Sequence, residues 1–291
     1  MTTMAHSSCF SILPSTGAPW VIPSALQLLL LLLTLLSIRY WLQLLTTRQL
    51  TSVFPLNPHR YQLEFSFPVL LAMLWIAIQF ASSLEREWGE WHQTLAPSQP
   101  VTVEQIMQSS LITFCFGTIL ILMLALAHFD AIQKLGFRLN EIRQQLRDGA
   151  VGFLLALLPE TALLLLTYPF RSEESLHPFF LLLKAEPHFS TISWIFISAV
   201  FVAPLFEELI YRVLFQGWLE RLLPPYAAIL VSSLVFSIVH GFPDCIPLFP
   251  LALILGTLFY YRRSYFSIVL THALFNAVNL AHALANQQNS A

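Results

Sequence analysis

The sequence predicts an all-α protein whose helices form a transmembrane bundle of about eight spans. Of its 291 residues, 56% are hydrophobic and only 10% are charged, whereas a typical soluble domain is about 25% charged. So few charged side chains cannot cover the surface of a water-soluble chain of this length, and the lipid bilayer must contact much of it. The net charge of −2 argues against nucleic acid as a partner, because such binding calls for a basic surface.

Eight apolar runs follow one another along the chain, and each predicts a membrane helix, since a helix needs about 20 mostly apolar residues to cross a bilayer. The runs lie near residues 21–45, 66–84, 108–128, 150–169, 191–215, 226–241, 246–261 and 265–285. The sixth and seventh runs are short for a full crossing. Short spans are tolerated where their backbone lines a cavity inside the protein.

Ionisable side chains inside membrane helices are costly, and each is therefore a functional candidate. The first cluster, Glu207-Glu208 followed by Arg212, lies in the fifth run. Glu208 and Arg212 are four residues apart with the glutamate nearer the N-terminus, which favours an ion pair. Glu207 is turned by about 100° from Glu208 on a helix, so it is left free for chemistry. In the alternative interpretation, Arg212 bridges both carboxylates and serves folding alone.

Two further clusters place imidazole groups in apolar helices. Phe236 and His240 are four residues apart in the sixth run, as are His272 and Asn276 in the eighth, and residues with this spacing share a helix face. His240 alone is also explained as a hydrogen-bonded packing residue. His272 and Asn276 alone are also explained as hydrogen-bonding contacts between helices.

The spacing of the clusters allows them to meet. The segment Leu222-Leu223-Pro224-Pro225 separates the fifth run from the sixth, and its prolines interrupt the helix. Glu207 lies fifteen residues before Leu222, and His240 lies fifteen residues after Pro225, so both are roughly 22 Å from the bend. If these helices are antiparallel neighbours, the carboxylate and the imidazole lie at one depth, and the last helix brings the third cluster.

The ordered trio of clusters resembles the CPBP family of intramembrane proteases. This family, described both as glutamate-type and as metalloproteases, includes type II CAAX prenyl endopeptidases and Abi-related proteins. The residues that match its three motifs are Glu207, Glu208 and Arg212, then Phe236 and His240, then His272 and Asn276. The resemblance covers residues 150–285, which we expect to form the protease core. Residues 1–149 are expected to be N-terminal transmembrane helices of unassigned role, and residues 286–291 a polar tail.

The resemblance implies an endopeptidase that hydrolyses a peptide bond in a membrane-associated protein or peptide. Glu207 would take a proton from water, and His240 would help to position or activate that water. His272 and Asn276 would donate hydrogen bonds to the oxyanion formed on the scissile carbonyl. The other three matching residues would support these four. Members of the family cleave prenylated tails, leader peptides or C-terminal sorting signals, so the resemblance leaves the substrate open.

This mechanism needs no cofactor, but a zinc ion held by Glu207, His240 and His272 is an alternative. Two histidines and a carboxylate form a common catalytic zinc set, although Asn276 would then have no clear role. The sequence contains no His-Glu-x-x-His, Gly-x-Ser-x-Gly or Gly-x-Gly-Asp motif, which argues against the usual zinc, serine and aspartyl proteases.

Two other classes of function stay open. The chain is alternatively a non-enzymatic membrane partner, such as an immunity or scaffolding protein, but an unpaired Glu207 argues against that role. It is alternatively a transporter, but transporters commonly have broken helices in both halves of the chain, and here the polar residues crowd into one half. We expect a multi-pass integral protein of a bacterial plasma (inner) membrane.

Overall fold

The structure, a computed structural model, describes residues 24–57, 63–92, 101–127, 132–133, 136–138, 141–171 and 178–288. Within these ranges every regular element is a helix and no strand is present. Seven of the described helices are long and apolar enough to cross a membrane. The predicted all-α, multi-pass fold is confirmed, and the chain is an integral membrane protein.

Nine helices make up the described part of the chain. They are α1 (Ser24–Thr47), α2 (Phe67–His92), α3 (Val103–Ala127), α4 (Ile142–Thr167), α5 (Pro178–Ala185), α6 (Phe189–Leu222), α7 (Pro225–Ile238), α8 (Cys245–Arg262) and α9 (Tyr265–Gln288). Each of the eight predicted runs overlaps one of these helices. Residues 21–23 and 128 of those runs lie outside the described ranges. The additional helix is α5, whose eight residues are too few to form a run.

The predicted sixth run forms α7, a helix of 14 residues that measures about 21 Å. It is shorter than the hydrocarbon core of a bilayer, which is about 30 Å thick. Pro225 lies in its first turn, where the missing backbone N–H is not needed. Because the helix ends at Ile238, His240 lies in the turn that follows α7 rather than in the helix.

Helices α4 and α9 pack closely because glycines remove side chains from their contact. A Cβ atom on Gly152 would lie 2.5 Å from Thr271 Oγ1, and one on Gly149 would lie 2.9 Å from the Ser267 carbonyl oxygen. Thr271 Oγ1 also donates a hydrogen bond to the Gly149 carbonyl at 2.9 Å. Small residues and hydroxyl groups are typical of close helix contacts in membranes. This contact fixes α9 at the residue before His272.

Two consecutive arginines fix the turn between α8 and α9. Arg262 Nε lies 2.5 Å from Asp148 Oδ2 of α4. Arg263 is buried and forms an ion pair with Glu220 of α6, and Glu220 Oε1 also accepts a hydrogen bond from Gln216 Nε2 at 3.0 Å. The turn that precedes α9 is therefore tied to both α4 and α6.

The boundaries predicted between the segments of the chain do not coincide with helix ends. Helix α4 begins at Ile142, so it runs across the boundary predicted between residues 149 and 150. Helix α9 continues to Gln288, which includes part of the predicted polar tail at 286–291, and residues 289–291 lie outside the described ranges. The division into N-terminal helices, protease core and tail stays a prediction.

Replacing Gly152 with alanine should destabilise the protein, because the new Cβ would overlap the Thr271 side chain and α9 would have to move. We expect the free energy of unfolding to fall by about 1–3 kcal/mol, measured by denaturation of the detergent-solubilised protein. Gly217→Ala is the matched control, since its Cβ would meet no neighbour closer than 3.7 Å and alanine favours a helix. Equal stability of the two variants would contradict close packing of α4 on α9.

Candidate active site

Helix α6 carries both glutamates of the first cluster and is irregular on either side of them. Residues Ile197–Val202 and Leu209–Gln216 are π-helical, whereas Ala203–Glu208 between them is α-helical. π-helical turns are rare and occur frequently at functional sites. The two glutamates therefore end a short α-helical segment that lies between two π-helical segments.

Side chains from other helices bond to the backbone of both π-helical segments. Asn276 Nδ2 of α9 donates to the Ala199 carbonyl at 2.7 Å, and Ser232 Oγ of α7 donates to the Tyr211 carbonyl at 2.9 Å. Insertion of a side chain into the ladder of backbone hydrogen bonds is a known cause of helix distortion. These bonds attach α7 and α9 to the irregular parts of α6.

Glu208 is fully buried and has one partner at each carboxylate oxygen. Its Oε1 lies 2.8 Å from His272 Nδ1, and its Oε2 lies 3.5 Å from Arg212 Nε. Arg212 is also fully buried. A charge removed from water is costly unless it is paired and hydrogen-bonded. The spacing of the sequence predicted the ion pair with Arg212, but it did not predict the hydrogen bond to His272.

Helix α7 supplies two contacts to the buried guanidinium group. Arg212 Nη1 donates to Ser232 Oγ at 3.2 Å, and the guanidinium carbon lies 4.8 Å from the centre of the Phe236 ring. A cation over an aromatic face is attracted to it, most strongly where water is excluded. Tyr211 packs edge-on against the same ring, with centroids 5.1 Å apart. Phe236 therefore joins the motif of α7 to the motif of α6.

Glu207 has different surroundings from its neighbour. Its side chain is 27% exposed, and its Oε2 lies 3.9 Å from His272 Nε2. No ion pair joins Glu207 to Arg212 among the described residues, so the arginine does not bridge both carboxylates. The imidazole of His272 thus has Glu208 at one nitrogen and Glu207 near the other.

The contact with Glu208 determines which nitrogen of His272 faces the site. An ionised carboxylate only accepts hydrogen bonds, so Nδ1 carries a proton and donates it to Glu208 Oε1. Nε2 is then the nitrogen on the side of Glu207. A second donor at Nε2 requires the doubly protonated ring, because a neutral imidazole has only one N–H.

His240 is connected to the cluster through Phe236. The ring centroids of these two residues are 4.8 Å apart, and those of Phe236 and His272 are 5.8 Å apart. His240 Nδ1 lies 2.7 Å from the Phe236 carbonyl oxygen, which only accepts, so Nδ1 donates. In the neutral ring Nε2 is then an acceptor. No hydrogen bond links His240 to Glu207 in the part of the chain that the structure describes.

Asn276 lies one helical turn beyond His272 on α9. Its bond to the Ala199 carbonyl uses one of the two N–H groups of the amide, and the second remains for a ligand. Within the described ranges, Asn276 has no hydrogen bond to the other six predicted site residues. The structure thus gathers five predicted residues directly, joins His240 through an aromatic ring, and leaves Asn276 one turn away.

Ser232 is a contributor to the site that the sequence analysis missed. It is fully buried and bonds both Arg212 and the Tyr211 carbonyl. The sequence does contain a pattern that could have indicated Ser232. It lies four residues before Phe236 in an apolar helix and so shares its face. The same pattern is weak in practice, since serine in membrane helices commonly bonds its own helix.

The residues of the alternative zinc set do not form a ligand cluster. Among the described residues, no three His, Cys, Asp or Glu side chains are grouped so that they could hold a metal ion. Glu207 and His272 lie beside each other, whereas His240 contacts the Phe236 ring, with ring centroids 4.8 Å apart. The donor atoms present therefore do not fit a zinc ion bound by all three residues.

An apolar crevice of about 430 Å³ opens between α6 and α9. On α9 it begins at Ala277, the residue after Asn276, and on α6 it ends at Ile197, two residues before Ala199. Its lining is almost entirely aliphatic and aromatic. Apolar space beside a few polar groups is typical of sites that bind small molecules or chain segments.

Comparison with known proteins gives a family match. Residues 189–278 match the family model described as type II CAAX prenyl endopeptidase Rce1-like. This segment belongs to the CAAX-protease-like family. All seven predicted site residues lie inside it, and the resemblance predicted from the three motifs is confirmed. The family indicates a membrane protease. No match was found among curated proteins or among solved structures.

Replacing Glu208 with glutamine should destabilise the CAAX-protease-like segment strongly, because Arg212 would remain buried without its counter-charge. Breaking a buried ion pair at one partner typically costs about 3–5 kcal/mol of unfolding free energy. The matched control is Glu64→Gln, which breaks the exposed pair of Glu64 with Arg221 (N···O 3.0 Å, side chains 63% and 45% exposed) and should cost less than about 1 kcal/mol. Denaturation of both purified variants measures the difference, and equal losses would contradict the assigned role of Glu208.

Proposed function

We propose that this chain is an intramembrane endopeptidase that hydrolyses a peptide bond of a membrane-associated protein or peptide with water activated by Glu207 and His240. The observation that carries the proposal is the contrast between two adjacent glutamates. Glu208 is buried and occupied by Arg212 and His272, whereas Glu207 is partly exposed and has no arginine partner among the described residues.

In this proposal Glu207 acts as the general base. It takes a proton from a water molecule, whose oxygen attacks the carbonyl carbon of the scissile peptide bond. The proton then passes to the departing amine as the C–N bond breaks, so Glu207 ends the cycle ionised. His240 Nε2, free because Nδ1 is held by the Phe236 carbonyl, accepts a hydrogen bond from the same water and orients it.

His272 and Asn276 act as donors to the oxyanion that forms during attack. The free N–H of the Asn276 amide is one donor, and its bond to Ala199 fixes its direction. His272 Nε2 is the second donor when the ring is doubly protonated, with Nδ1 held by Glu208. Preorganised donors of this kind stabilise the transition state by about 3–4 kcal/mol each where one has been removed by mutation.

Glu208, Arg212, Phe236 and Ser232 support these residues without contacting the substrate. Their contacts join α6, α7 and α9 around one buried ion pair. Groups that are held by a second layer of hydrogen bonds keep the geometry that catalysis requires. The support therefore acts on the orientation of His272 and on the position of the segment that carries Glu207.

The substrate has an apolar part in this proposal. The crevice between α6 and α9 is lined mainly by apolar side chains and includes Ala277, the residue after Asn276 in the chain, so we place an apolar segment of the substrate there. The membrane-spanning helices give such a substrate access from the bilayer. The proposed location is a bacterial plasma membrane. The proposed partners are the lipid bilayer and a protein or peptide substrate.

Replacing Glu207 with glutamine should abolish cleavage while the protein stays folded and inserted, because the amide cannot take a proton from water. We expect kcat to fall by at least about 10²-fold, and circular dichroism and the unfolding midpoint to stay unchanged. The assay uses purified protein in lipid nanodiscs and two internally quenched peptides that end in Cys-aliphatic-aliphatic-X, one of them prenylated on the cysteine. Glu85→Gln, an exposed glutamate of α2, is the control.

Metal analysis of the same samples separates the two mechanisms. Cleavage by protein that holds no stoichiometric metal, at a rate that a chelator does not change, supports water activation by Glu207 and His240 without a metal ion. Activity that follows bound zinc would overturn the metal-free proposal and turn the same residues into ligands. Full activity in the Glu207→Gln variant would overturn the role of Glu207. If neither wild type nor Glu207→Gln cleaves a substrate that has been established in cells, the result would favour a non-enzymatic membrane partner.

A further inference from the structure

His240 lies just beyond the regular backbone of α7, so contacts from other parts of the chain can act on its position. The helix ends at Ile238, and His240 occupies the turn that leads to Gly241. Backbone bonds of this turn run from His240 N to the Ser237 carbonyl and from Gly241 N to the Ile238 carbonyl. The imidazole itself bonds the Phe236 carbonyl through Nδ1. A turn has fewer constraints than a helix interior, so the position of the imidazole also depends on the groups that contact the turn.

Helix α2 supplies the first of these groups. Glu87 Oε1 accepts a hydrogen bond from the backbone N–H of Phe242 at 2.7 Å. One helical turn earlier, Ser83 Oγ donates to the Ile238 carbonyl at 3.4 Å, which is one of the carbonyls that a helix end leaves without a helical partner. Two side chains of one α2 face therefore bond the backbone on both sides of His240.

Gly241 makes the approach of Glu87 possible. Its φ is +76°, a left-handed conformation that glycine adopts at little cost. A Cβ atom at this position would lie 2.9 Å from Glu87 Oε1, so a larger residue would displace the carboxylate. The residue next to His240 thus allows the turn and leaves room for the side chain that binds it.

The segment after α4 supplies the second contact. Arg171 Nη1 forms an ion pair with Asp244 Oδ1 at 2.7 Å, with side-chain exposures of 18% and 32%. The preceding residue, Phe170, packs edge-on against Phe242 with ring centroids 5.8 Å apart. These contacts hold the part of the turn that is farther along the chain from α7, at Phe242 and Asp244.

We propose that Glu87 and Arg171 are positioning residues for His240, and that they fix the turn Gly241–Asp244 so that the imidazole faces the site. This inference rests on the role of His240 in the proposed function. Both residues lie outside residues 189–278, the segment that matches the family. Helix α2 and the segment that follows α4 therefore take part in the geometry of the site.

The test compares Glu87→Ala, Glu87→Gln and Arg171→Ala with Glu85→Ala, a control on the same helix. Each variant is assayed with the prenylated quenched peptide in nanodiscs, and its histidines are modified with diethyl pyrocarbonate and quantified by mass spectrometry. We expect Glu87→Ala and Arg171→Ala to lower kcat by about tenfold or more through misplacement of His240, with KM within about twofold of wild type. Glu87→Gln keeps an acceptor oxygen and should recover most of the activity.

The rate at which diethyl pyrocarbonate modifies His240 tests the positioning role independently of cleavage. In Glu87→Ala the modification rate of His240 should rise several-fold while that of His272 stays unchanged. Unchanged reactivity of His240, or an equal rise at both histidines together with a lower unfolding midpoint, would overturn the positioning role. Full cleavage by His240→Ala, with altered His240 reactivity in Glu87→Ala, would instead overturn the proposed function and leave the positioning role intact.

Discussion

The site depends on a single buried carboxylate. Glu208 has no contact with solvent, and its two oxygens face His272 and Arg212. Because an unpaired charge in this environment is costly, the helices that carry its partners are constrained to meet at this point. Arg212 in turn brings Ser232 and the Phe236 ring from α7. Three helices are thereby fixed around one ion pair, and Glu207 is left at its open side.

Much of this arrangement could be predicted because it follows from helical periodicity. The four-residue spacings correctly placed Glu208 beside Arg212 and the Phe236 ring beside His240. The bond between Glu208 and His272 could not be predicted, since it joins residues 64 positions apart in the chain. The π-helical segments of α6 were also missed, and the hydrogen bonds that Asn276 and Ser232 make to the backbone of these segments join residues far apart in the chain. Helix periodicity carries no information about such contacts.

The N-terminal helices gave no motif, yet two of the residues closest to the turn of His240 come from outside the family segment. Glu87 has the appearance of a surface charge in the sequence, and its significance depends on the backbone N–H of Phe242. The significance of Arg171 likewise depends on its ion pair with Asp244. In the proposed function, the geometry of the site is shared between a segment with recognisable motifs and residues elsewhere in the chain that carry no motif. This division explains why the motifs predict the reacting groups but not their supports.

The central claim is that the two glutamates do different work, with Glu208 holding His272 through Nδ1 and Glu207 free to act on water. Nitrogen-15 NMR of ring-labelled histidines in the nanodisc-bound protein tests this most directly, with the His272 signals assigned by their loss in a His272 variant. The account predicts that His272 Nδ1 is protonated and hydrogen-bonded in the wild type, and that this signal changes in Glu208→Gln but persists in Glu207→Gln. An unprotonated Nδ1 in the wild type, or a signal that depends on Glu207 instead, would contradict it.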